Sequence, residues 1–268
     1  MEKELLDLKQ EYIKLLEKNE NESIYQKFLE EHPILIPTKP FELNHFVHFS
    51  LIFKKLQLGT SHISDFCFLS KSSAEWNIVF IELEKPDSKF FNNDGTITRD
   101  LNVGISQIQD WNAYFSIEEN KLAFKQNKVI KELMSFNPNF FHNPCNFKYI
   151  LVIGRRETLY NSKFKDKFRS IFPRNSYIMT YDSLYEALDK KNDNYICHIE
   201  NDELYIDSTK YVNDVMFHWL SCNNIRIKEQ LYLELEKRNT PYNKNNFIET
   251  QTKLSPEKLE LIKKNIFK

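Results

Sequence analysis

The chain has 268 residues in which 37 Lys and Arg nearly cancel 38 Asp and Glu, so no global field draws it to nucleic acid and any such contact must use a local patch. With 41% hydrophobic residues, 22 Phe and 13 Tyr, it is too apolar to stay disordered and long enough for one large core with appendages. Only four glycines occur, which excludes the clustered glycines of a P-loop or dinucleotide-binding turn and, with them, a nucleotide cofactor.

From Met1 to Lys18 the apolar residues Leu5, Leu8, Tyr12, Leu15 and Leu16 recur at helical spacing, which predicts an amphipathic first helix. "ESIYQKFLEEH" predicts a second, stopped by Pro33, because the residue before a proline is pushed out of the helical region. The period then changes: "FVHFSLIF", "HISDFCFL" and "WNIVFIELE" are aromatic and β-branched runs separated by short turn sequences, the pattern of an antiparallel meander.

After the turn "NNDGT", the spacing of Leu101, Ile105, Ile108, Trp111 and Phe115 predicts a helix packed on the sheet, with Trp111 and Tyr114 as core rather than base-stacking platforms. Ser116 followed by Glu119 reads as a capping box opening a further helix to about Met134. "KYILVIG" is a continuous apolar run of the kind covered on both faces, and "KFKDKFRSIF", "SYIMTYD" and "SLYEALDKK" continue a helix, strand, helix succession. "NYICHIE" and "ELYIDS" read as two short strands, and the chain from about residue 209 reads as mostly helical.

Cys67, Cys145, Cys197 and Cys222 show no C-x-x-C spacing and follow no secretory signal, which suggests reduced thiols in a cytoplasm. No apolar run approaches the ~20 residues of a membrane span, and no H-E-x-x-H helix or Cys/His cluster marks a zinc site. The chemistry concentrates instead at the end of the third strand. Alternation puts Glu82 and Glu84 on one face with Leu83 and Lys85 on the other, and hairpin pairing brings Asp65 of the preceding strand towards Glu82. Carboxylates so gathered raise one another's pKa unless a cation neutralises them, and a hard divalent ion such as Mg²⁺ suits their oxygens better than zinc. Solvated strand ends, with Glu84 and Lys85 as an edge pair, are the competing reading.

An acid in one strand, E-x-E-K at the end of the next and a helix carrying Gln107 resemble the PD-(D/E)XK nuclease core. More narrowly, "LGTSHISDF", "WNIVFIELEKP", "GISQIQDW", "ILVIGRR" and "MTYDSL", in that order, resemble the nuclease domain of the Shedu anti-phage defence family, with "YQKFLEEHPILI" like its opening segment. The resemblance implies an α/β fold, a restriction-endonuclease-like mixed sheet flanked by helices, over 22–208, with helical additions at 1–21 and 209–268. It implies a Mg²⁺-dependent DNA endonuclease or nickase, Mn²⁺ being a possible substitute, and a homo-oligomer. Asp65 and Glu82 would be metal ligands, joined by Glu84, and Gln107 would face the site.

Where the motif usually has lysine this chain has Glu84, and Lys85 reaches the site only if a bulge before Pro86 swings it round. Two further readings therefore stand: a nuclease fold that has lost cleavage and binds nucleic acid or a partner protein, and a metal-free acid-base hydrolase. Arg155, Arg156, Lys163, Lys165, Lys167 and Arg169 are the densest basic stretch and the candidate DNA contacts, Arg155, Arg156, Lys163 and Lys167 foremost. Glu22 and Gln26, on the opening helix, are candidates for an additional acid and its neighbour, or plain surface polarity.

Overall fold

The computed structural model describes residues 2–135, 138–160, 167, 168, 171, 175–186, 188, 194–207 and 225–228. Helices α1 (Glu2–Leu16) and α2 (Glu22–Glu31) precede β1 (Val47–Leu58), β2 (His62–Lys71) and β3 (Trp76–Leu83). Helices α3 (Arg99–Tyr114), α4 (Glu118–Gln126), α5 (Lys128–Met134) and α6 (Pro138–Phe141) then lead to β4 (Cys145–Val152) and β5 (Ser176–Met179), each followed by a short helix, Arg156–Tyr160 and Tyr181–Glu186. A hairpin of β6 (Tyr195–Glu200) and β7 (Glu203–Ile206) and the strand β8 (Ile225–Ile227) complete the order.

The eight strands form one mixed sheet in the order β5-β4-β3-β2-β1-β6-β7-β8. The expected meander β1-β2-β3 is antiparallel, β4 and β5 add in parallel beside β3, and β6 adds in parallel beside β1. Strand residues alternate between two apolar layers. Phe53, Cys67, Phe80 and Tyr149 pack under α3, α4 and α5, whereas Ile52, Phe66, Phe68, Val79 and Ile81 pack under α1, α2 and the helix Tyr181–Glu186. Helices thus cover both faces, which is why β2, β3 and β4 are apolar almost throughout. Each fully buried Phe contributes about 1.5–3 kcal/mol of transfer free energy. Phe80 stands at the centre of one layer, with Phe115, Phe147 and Tyr149 stacked near it and Trp111 edge-on at 6.1 Å.

Two local expectations fail. Ser116 caps no helix: its hydroxyl donates to the Ala113 carbonyl at 2.7 Å, and the helix expected up to Met134 breaks at Asn127, whose side chain accepts the Val129 and Ile130 amides to start α5. The helix expected within "KFKDKFRSIF" and the C-terminal helices expected over 209–268 fall almost wholly outside the described residues. Within that C-terminal stretch, Ile225–Ile227 is a strand paired in parallel with β7. Among the described residues no helix is long and apolar enough to cross a membrane.

Candidate active site

The ladder between β2 and β3 runs from Lys71↔Trp76 to Phe66↔Ile81 and stops there. One further step would set Asp65 opposite Glu82, and at that step the strands part. The Leu83 amide, denied a strand carbonyl, donates instead to Asp65 Oδ2 at 2.7 Å. On its other edge β3 stays anchored, pairing in parallel with β4 through Glu82↔Leu151 and Leu83↔Val152, and the Glu84 amide donates to the Val152 carbonyl at 2.8 Å. With one edge held and one released, the freed Leu83 donor fixes the orientation of the buried Asp65 carboxylate.

Glu84 lies against α3, where a Cβ on Gly104 would stand 3.2 Å from Glu84 Cγ. Glu82 Oε2 is buried and has no hydrogen-bond partner among the described residues. Burial, then the charges of Asp65, Glu84 and Glu22, push the Glu82 carboxyl up to about 10. Burial and the Glu22, Asp100 and Asp65 carboxylates push Glu84 up to about 7. Glu22, at the first turn of α2, is itself raised by burial and by Asp65, with Lys55 and Lys85 pulling the other way. Carboxylates from α2, β2, the end of β3 and α3 therefore act on one another where the β2–β3 ladder stops, Asp100 through Glu84.

Among the described residues the cation paired with one of them is Lys55 of β1, whose Nζ sits 2.5 Å from Asp65 Oδ1. Lys85 is exposed and makes no ion pair with a described residue; its carbonyl accepts the Ser88 and Gly154 amides, which pins its backbone at the strand end. Gln107 is half-buried on α3, three residues beyond Gly104 and so on the same side of the helix. Lys55 and Asp100 escaped sequence reasoning. Lys55 is one of two adjacent lysines in an alternating strand, and Asp100 carries only the mark of a first-turn helix acid, although it also accepts the Ser88 hydroxyl at 2.8 Å.

The basic stretch is engaged within the fold where it is described. Arg155 clamps Asp182 through Nε and Nη2 at 3.0 Å and donates to the Leu16 carbonyl, tying the end of α1 to the helix Tyr181–Glu186. Arg156 pairs with Glu186, and Lys167 Nζ donates to the Gly95 carbonyl at 2.8 Å. Lys163, Lys165 and Arg169 lie outside the described residues.

Among the described residues no three Asp, Glu, His or Cys side chains converge closely enough to hold an ion between them. That arrangement still fits Mg²⁺, which is held by one or two carboxylates while water and substrate phosphate complete its shell. The unpartnered Glu82 Oε2 beside Asp65 is the vacancy in the hydrogen bonding that a cation would satisfy. A family model described as Shedu protein SduA, C-terminal, matches residues 19–185. No curated protein matches the chain.

Proposed function

Because the chain belongs to the Shedu SduA C-terminal family, we propose that it is a Mg²⁺-dependent DNA endonuclease or nickase serving defence against phage. The observation that carries the reading is the end of the β2–β3 ladder, where the Asp65 carboxylate accepts the Leu83 amide and Glu82 keeps a buried, unpartnered oxygen. Asp65 and Glu82 would hold the ion, which supplies Lewis acidity to the scissile phosphate and eases ionisation of the attacking water. The Leu83 amide fixes the Asp65 carboxylate, Glu84 flanks it under α3, and Gln107 orients the water or a phosphate oxygen. In the reaction the water oxygen bonds to phosphorus as one P–O ester bond breaks. The water proton passes to solvent and the leaving oxygen takes one up.

Plasmid relaxation with Mg²⁺ tests this. Asp65→Ala and Glu82→Ala, matched to wild type for folding, should each lose at least about 100-fold in rate, and EDTA should abolish cleavage. Mutants as active as wild type would sink the assignment, and full activity in EDTA would favour a metal-free acid-base hydrolase. Glu84, standing where the nuclease motif carries lysine, favours a second reading as a nucleic-acid or partner-binding module. Salt-sensitive DNA binding without cleavage under any divalent ion would select it.

A further inference from the structure

We propose that Lys55, delivered from β1, is the catalytic cation of this site and hydrogen-bonds a non-bridging oxygen of the scissile phosphate. The inference rests on the nuclease reading and adds a residue to it. Its first support is contact: Lys55 Nζ lies 2.5 Å from Asp65 Oδ1, with the lysine side chain half-exposed and the aspartate buried. The ammonium therefore reaches the buried carboxylate from a partly solvent-exposed side chain, able to swing from it to an incoming phosphate on its four-carbon stem.

The second support is the backbone. Lys55 takes φ +47 in the middle of a strand, a left-handed conformation that costs free energy for a residue with a Cβ. It is not an inserted residue, since Lys54↔Phe66 and Leu56↔Ser64 keep one register on either side of it. What the twist changes is direction. Phe53 and Leu56, three residues apart, both face the α3 layer, whereas strict alternation would put them on opposite faces. The break falls at the residue whose side chain reaches Asp65.

The third support is charge. Glu22, Asp65, Glu84 and Asp100, joined by Glu82 once a bound ion displaces its proton, would repel a phosphodiester, and a single divalent ion leaves most of that repulsion in place. Lys85, the motif's own neighbour, follows the end of β3, is exposed and makes no ion pair with a described residue, whereas Lys55 is in direct contact with Asp65.

The experiment compares Lys55→Ala, Lys55→Arg and Lys85→Ala with wild type in Mg²⁺-dependent plasmid relaxation, alongside Mn²⁺ binding by electron paramagnetic resonance and thermal unfolding. Lys55→Ala should cleave about 100-fold more slowly while binding Mn²⁺ at least as tightly, because Asp65 loses a competing cation. Lys55→Arg should recover part of the rate. A Lys55→Ala protein within about threefold of wild-type rate would overturn the assignment, as would one that loses Mn²⁺ binding along with cleavage, since the lysine would then only shape the site. Cleavage lost in Asp65→Ala and Glu82→Ala but kept in Lys55→Ala removes the lysine assignment alone. A wild type that never cleaves removes the nuclease reading and this inference with it.

Discussion

In the proposed function Glu82 joins the fold to its chemistry. In the metal-free fold its carboxyl is pushed up to about 10 from an ordinary 4.5 by burial and by neighbouring acids, so the folded chain binds this proton more tightly than the unfolded chain does. The stabilisation from that proton is whole below pH 4.5 and is lost progressively as pH rises towards 10. Glu82→Gln, with the same shape and no charge, should therefore unfold at a higher temperature than wild type at pH 8 in EDTA. A gain of each kcal/mol corresponds to about 2–4 °C for a chain of this size. Scanning calorimetry checks it, and a glutamine variant less stable than wild type would contradict the burial argument. Added Mn²⁺ should raise the midpoint of wild type and leave that of Glu82→Gln nearly unchanged. That Asp65, Glu82 and Glu84 gather at one place was legible in the sequence because alternation and the break from apolar to acidic residues are local signals. Lys55 was not, because a left-handed residue inside a strand leaves no trace in the spacing of its neighbours.

Among the elements, α3 decides how closely the site is walled. Gly104 lets it lie on the sheet: a Cβ there would meet Leu151 Cδ1 at 2.8 Å and Glu84 Cγ at 3.2 Å. Gly104→Val should lift α3, which carries Gln107, and lower both stability, by roughly 1–3 kcal/mol for an overpacked contact, and the cleavage rate. Asn127→Ala removes the cap of α5 far from the carboxylates and should cost about 1 kcal/mol with the rate per folded molecule unchanged. Parallel measurements of unfolding and plasmid relaxation separate the two effects, and equal loss of rate in both variants would mean that α3 seating is not specific to the site. The meander and α3 were readable from periodicity. The capping box at Ser116 was misread because its hydroxyl had a nearer acceptor, the Ala113 carbonyl closing α3. Asn127 supplied the cap instead, with no acidic partner to mark it.

At the scale of the molecule, opposing titrations set where the fold is most stable. His48 is buried, its Nε2 donates to the Leu133 carbonyl at 2.9 Å, and burial lowers its pKa to about 3 from 6.5. Its contribution is whole above pH 6.5 and is lost as pH falls towards 3, the reverse of Glu82. Glu84, raised to about 7, adds to the alkaline loss, so the metal-free protein should show its highest unfolding midpoint at roughly pH 4.5–5, with His48→Gln flattening the acid limb and Glu82→Gln the alkaline limb of a pH series. A midpoint still rising through pH 8 in EDTA would refute this balance.

The sheet order was the least legible feature. That β4 adds in parallel to the anchored edge of β3 and β6 to the far side of β1 depends on pairings between residues more than sixty apart, which no local period encodes. Sequence alone determined which runs are buried strands, and that an acid within β2 faces two acids at and just past the end of β3, because face and burial follow from a period of two. Only the tertiary structure decided that β2 and β3 part at Asp65 and Glu82, that Glu22 and Asp100 join them from two helices, and that Lys55 turns onto Asp65. Those outcomes come from backbone hydrogen bonds redirected at strand ends and from one strained torsion, and both are settled by packing.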